Sequence, residues 1–186
     1  MLDRTFGSTM IEELGRGYFS GATELRSGEL VVIRSGPLWE AVGLSFCLPI
    51  LAPVQVRGRQ LLVDGSLVDN LPVRTMAELG EGPVIAVDVK ASFERPPSAT
   101  PSKNGANPER QMRQPGIMEA LTRVLLLSSS NTTETARRYA DWTIAPRNRG
   151  VGLLEFHQMD QAIEAGRGAV REALDDAPEE ILVGRA

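Results

Sequence analysis

LLVDGSLVDNLPV, residues Leu61 to Val73, sets a lone carboxylate between an apolar run and a tight turn. Leu61, Leu62 and Val63 have the apolar continuity of a buried strand, Gly65 permits a sharp bend, and Pro72 prevents a simple continuation of the sheet. Asp64 therefore stands where the strand ends. Polar groups just past a strand's carboxyl end are where open α/β sheets bind ligands, so Asp64 is a candidate catalytic base.

Upstream of that stretch, residues 18–25 and 29–34 read as two strands joined around Ser27-Gly28, a hairpin signal. Ser35-Gly36-Pro37 then opens a helix, proline being tolerated in the first turn. Leu38, Ala41, Val42 and Ser45 share one face, and Pro49 ends the helix. Val54–Val56 and Gln60–Val63, separated by Gly58, form a short strand pair that delivers Asp64 to its turn.

Downstream, VRTMAELG reads as a helix closed by Gly80, and PVIAVDV as a strand buried by its β-branched content. Strand, helix and strand in succession predict a parallel sheet under helical cover. Residues 93–116 interrupt the rhythm with Pro, Ser, Asn and Gly and read as a flexible loop. The spacing of Ile117, Leu121, Val124 and Leu125, followed by 132–139, predicts a long helix or a helix pair. Asp141 to Ala145 makes a last strand. A closing helix from about Glu155 to Leu174 is expected to turn Met159, Ile163, Val170 and Leu174 inward.

At this point the chain resembles the patatin-like phospholipases, in particular their neuropathy-target-esterase-like bacterial branch. The resemblance runs through FGSTMIEEL (Phe6–Leu14), GELVVIRSGPLWEAV (Gly28–Val42), LPILAPV (Leu48–Val54) and DGSLVDNLPV (Asp64–Val73). It continues through ADWTIAPRNRGVGLLEFHQMDQAIEAG (Ala140–Gly166). The family hydrolyses ester lipids with a Ser-Asp dyad, the serine in a G-x-S-x-G elbow and the aspartate in an Asp-Gly-Gly or Asp-Gly-Ala turn. The resemblance implies that Asp64 is the dyad aspartate and that Gly65, Ser66 and Asn70 support its turn. It implies an α/β fold, a three-layer sandwich with a mostly parallel sheet, incomplete on its N-terminal side. Residues 1–175 would form the C-terminal portion of such a domain, with 93–116 a loop within it and 176–186 a tail.

The chain departs from the family pattern at Ser66, where Gly or Ala is usual, at Ile50, where Gly commonly follows Pro49, and at Gly43, where a basic residue is common. It also lacks the nucleophile: no serine among its 186 residues has glycine at both minus two and plus two. Ser45 comes nearest, with Gly43 before it but Cys47 after it, and is read as a small polar residue on a helix face. An aspartate alone cannot carry out acyl transfer, which needs a nucleophile and amides for the oxyanion. The expectation is that a segment upstream or a partner chain carries the serine and the oxyanion loop. The alternative is an inactive remnant kept as a lipid-binding or protein-interaction module. An isolated incomplete sheet is expected to self-associate.

Other readings carry less. His157, the only histidine, would have to serve any Ser-His-Asp triad; the resemblance gives it no part in the dyad and leaves it a capping or hydrogen-bonding role. Asp88 is a second carboxylate at a strand end and, with Asp64, suggests two-carboxylate glycosidase chemistry only if the two come close. The formal charge of −4, with no Lys/Arg cluster, argues against nucleic acid as a partner. The single cysteine, Cys47, makes no internal disulfide and no metal site by itself. No cofactor or metal is implied, and ester lipid such as lysophospholipid is the implied substrate. No run approaches the roughly 20 apolar residues of a membrane span, and no signal peptide opens the chain. The reading is cytoplasmic, with peripheral membrane contact open to an enzyme that must reach lipid.

Overall fold

A computed structural model describes residues 2–49, 52–89, 116–117, 133, 135–146, 151, 156–179 and 181. The chain forms two compact units, one of Met1–Pro72 with Ile117–Ala136, the other of Val73–Gly116 with Arg137–Ala186.

In the first unit, β1 (Ser20–Glu24) and β2 (Glu29–Ile33) form the expected antiparallel hairpin, Ser20 opposite Ile33 and Glu24 opposite Glu29. Gly28, at φ +71°, supplies the left-handed residue of its turn. A short helix α1 (Leu2–Phe6) and the helix α2 (Leu38–Leu44) flank the hairpin in sequence, and β3 (Gln55–Arg57) and β4 (Gln60–Asp64) complete a sheet of order β2-β1-β4-β3. All three pairings are antiparallel. Ile11, Ala22, Ile33, Leu38, Ala41, Leu44 and Leu62 form one buried cluster that seats α2 against the sheet, and Ser20 Oγ donates to the Ala41 carbonyl at 3.1 Å.

Two details differ from the sequence reading of α2. The helix stops at Leu44, before Pro49 is reached, and Leu44 at 2% exposure takes the inward place expected for Ser45. Ser45 is instead the C-cap, its Oγ donating to the Val42 carbonyl at 3.2 Å.

In the second unit, α3 (Val73–Ala77) leads through Gly80, at φ +68°, to β5 (Ile85–Val87), which pairs in parallel with β6 (Trp142–Ile144). The helix α4 (Met159–Leu174) follows a single 3-10 turn at Phe156–Gln158. The α/β class is thus present, with its parallel part in the β5–β6 pair. β5 is not buried on both faces. Ala86 is buried, as are Val84 and Asp88 beside the strand, while Ile85 and Val87 are about half exposed, so the apolar run hides an alternation. The expected inward stripe of α4 is corrected as well: Met159, Ile163, Val170 and Leu174 are all exposed. The helix turns its small residues to the protein instead. Ala165, Gly168, Ala169 and Ala173 line a cleft of about 440 Å³ with Thr143, Ile144 and Ala145 of the β6 region.

Residues 93–115 and 118–132, to which the loop and most of the long-helix expectations apply, lie outside the described residues, as does Ile50.

Candidate functional site

Asp64 is the last residue of β4 and the N-cap of a 3-10 turn at Gly65–Leu67. Its strand is buried on both faces toward its end, Leu62 and Val63 each at 0% exposure, so the carboxylate emerges from a well-packed strand. Both neighbours of β4 run antiparallel, and the position is therefore set by a turn after a central antiparallel strand rather than by the carboxyl edge of a parallel sheet.

Three bonds fix the Asp64 backbone and side chain. Its N–H donates to the Cys47 carbonyl at 2.9 Å, and its carbonyl accepts from Thr23 Oγ1 at 2.9 Å. Its Oδ1 accepts from the Ser66 N–H at 2.7 Å, the usual service of an aspartate at a helical N-terminus. Among the described residues Oδ2 accepts no hydrogen bond and no cation pairs with the carboxylate. Asp64 as a residue is 9% exposed, with one oxygen anchored and the other uncommitted among the described residues.

Gly65 is required for a different reason from the one its place in a turn suggests. It lies flat against β1: a Cβ there would stand 2.6 Å from the Gly21 carbonyl carbon and 2.7 Å from its oxygen. No side chain fits without moving the strand. Gly21 is a residue the sequence reading passed over. Val68 and Asp69 close the turn by donating their N–H groups to the Gly65 carbonyl at 3.1 and 2.9 Å. Burial pushes the Asp69 carboxyl up, a trend opposed by the Leu71 N–H that it accepts. Asn70 is exposed.

Cys47 is buried, with its thiol donating to the Gly43 carbonyl at 3.0 Å, and burial, aided by the nearby Asp64 charge, raises its pKa. It is a packed thiol, as the sequence suggested. Behind the site, Glu24 ties the sheet together. Its carboxylate accepts the N–H groups of Leu61 at 3.1 Å, Arg26 at 2.9 Å and Ser27 at 2.7 Å. The Leu61 and Ser27 donors, against the opposing effect of burial, hold it down to about 2. One acid thus staples the β1–β2 turn to the strand that carries Asp64.

The other candidates, Asp88 and His157, belong to the second unit. There Asp88 is 2% exposed and receives the Arg137 guanidinium, Nε at 3.0 Å and Nη2 on the same oxygen. His157 is exposed in the turn before α4, whose N-cap is Gln158 without a side-chain cap bond. Among the described residues no group of three His, Cys, Asp or Glu could hold a metal, and no helix is long and apolar enough to cross a membrane.

An uncharacterized NTE family protein of Mycobacterium tuberculosis is 37% identical over 191 aligned residues, covering 94% of this chain and 31% of that protein. The chain is an NTE-family sequence. The Lysophospholipase NTE1 of Lodderomyces elongisporus is 28% identical over 89% of this chain and 12% of its own length, and that of Mycosarcoma maydis is 30% identical over 90% and 9%. No protein-family model matches the chain. The chain spans about a third of the length of the mycobacterial NTE-family relatives it matches.

Proposed function

We propose that Asp64 is the general base of a Ser-Asp dyad that hydrolyses an ester lipid of the lysophospholipid class. In this reading residues 1–175 are the C-terminal portion of a patatin-like domain, and the serine and oxyanion loop come from residues outside this chain. The observation that carries the reading is the asymmetry of the Asp64 carboxylate: Oδ1 is anchored on the Ser66 amide and Oδ2 has no partner among the described residues. A base needs both properties, a fixed direction and a free lone pair.

In the first half-reaction Oδ2 takes the serine proton as the hydroxyl attacks the ester carbonyl, then returns it to the departing glycerol oxygen. In the second it deprotonates the water that cleaves the acyl-enzyme. Gly65 and Ser66 act as positioning residues, because the turn they build sets the direction of the carboxylate. Support comes also from the relatives named lysophospholipases, whose similarity includes most of this chain. Peripheral contact with a membrane belongs to the same proposal, since the substrate resides there.

Hydrolysis of a lysophospholipid and of a short-chain nitrophenyl ester tests it, using this chain joined to the coding segment that precedes it. Activity that disappears on Asp64→Asn is the expected result. Activity in the joined protein that survives Asp64→Asn overturns the assignment of the base, and no activity in the joined protein leaves the inactive-module alternative in its place.

A further inference from the structure

The apolar stripe on α4 has an internal symmetry. Met159, Ile163, Val170 and Leu174 lie within about 60° of one another around a helix of 3.6 residues per turn. They are 57%, 44%, 39% and 45% exposed. Read from either end, the spacing is the same, with Met159 mirrored by Leu174 and Ile163 by Val170. The midpoint falls between Gly166 and Arg167. Gly166 lies toward the stripe, and a Cβ added there would meet nothing within 4 Å. The charges on one flank of the stripe have the opposite sense in each half. Asp160 and Glu164 precede the midpoint, and Arg167 and Arg171 follow it, all four exposed.

We infer that this face binds a second copy of the chain, α4 packing antiparallel on α4 about a two-fold axis at Gly166. In an antiparallel pair each flank meets its own symmetry mate, as in coiled coils. Asp160 and Glu164 of one copy then oppose Arg171 and Arg167 of the other, while Met159 meets Leu174 and Ile163 meets Val170. A parallel pair would set the charged flank against the Ala162, Gly166 and Ala173 flank and give the charges no partner across the interface, Glu164 and Arg167 keeping only the ion pair they make within the helix. The missing side chain at Gly166 lets the two backbones approach where the axes cross. A lipid surface is a poorer fit. An interfacial helix carries Lys and Arg on its polar face, whereas α4 has Asp160, Glu164 and Glu172 against two arginines and no lysine.

Sedimentation over a concentration series, using this chain joined to the coding segment that precedes it, tests the pairing. A monomer–dimer equilibrium is expected, with Ile163→Glu raising the dimer dissociation constant at least 100-fold while circular dichroism stays unchanged. Arg167→Glu with Arg171→Glu should weaken the dimer at least tenfold. Adding Asp160→Lys and Glu164→Lys should restore it, because the reversed flank is again self-complementary. In a Cys47→Ala background, Gly166→Cys should form an intermolecular disulfide on mild oxidation. A monomer throughout, larger unspecific aggregates, a dimer indifferent to Ile163→Glu, or failure of the four-residue reversal to restore pairing would each overturn the inference. Thermal melts of every variant keep a folding failure from being mistaken for lost pairing.

Discussion

Asp64 and Asp88 are two nearly buried aspartates at the ends of strands, and their surroundings differ in one respect that decides what each can do. Asp88 receives a guanidinium from Arg137, 49 residues later in the chain. Asp64 receives a single amide, and no cation among the described residues. A carboxylate paired with arginine has its lone pairs engaged by a permanent charge and serves architecture. A carboxylate held by one N–H keeps an oxygen for chemistry. Burial alone does not separate the two roles; the partner does.

The sharpest way to break this contrast is Asp64→Asn. The asparagine Oδ1 still accepts from Ser66, so the thermal midpoint should hardly move, while hydrolysis by the joined protein should fall on the order of 10³-fold or more. The reverse pattern is expected at the other aspartate. Arg137→Ala leaves the Asp88 carboxylate buried without its cation, and denaturant melts should show a loss of about 3 kcal/mol, since removing one member of such a pair strands the other. Were Arg137→Ala silent in stability, the division of roles between the two sites would fail.

A smaller effect is expected from Gly65→Ala. The added methyl meets the Gly21 backbone well inside van der Waals contact, and such overpacking costs about 1–3 kcal/mol. Activity should drop more than the melting shift alone explains, because the strand displacement also turns Asp64. The smallest effect concerns Glu24, held at about 2 in the folded chain against an ordinary 4.5. A depressed carboxyl stabilises the fold above its unfolded pKa and loses that contribution as pH falls from about 4.5 toward 2. Glu24→Gln should therefore lower stability at pH 7 and flatten the acid limb of a stability–pH curve between those values.

What was legible in the sequence was local. The hairpin, the β3–β4 pair around Gly58, the Gly80 stop and the Asp-Gly turn each announce themselves within a few residues, because turns and caps need particular side chains at particular places. Asp64 itself stood out for the same reason, and the family resemblance gave it a role. The rest required contacts distant in sequence. Gly21 looks like an ordinary weak point in a strand until Gly65 is laid across it, and Glu24 looks like a surface acid until Leu61 donates to it. The stripe on α4 was visible, but periodicity reports that a face exists and not what it faces. Small residues on the far side of the helix took the contact with β6.

The crossing of Gly21 and Gly65 bears on how the region around Asp64 tolerates change. A Cβ at Gly65 would strike the Gly21 carbonyl, a main-chain group that any residue at that position carries, whereas a Cβ at Gly21 would stand 3.9 Å from the Gly65 Cα, an ordinary contact. The steric limit therefore lies at Gly65 and is set by the course of β1. A variant library that randomises the turn would sample almost nothing viable at Gly65 unless the hairpin shifts to admit the new bulk. Each survivor would report how far β1 can move before the carboxylate loses its aim.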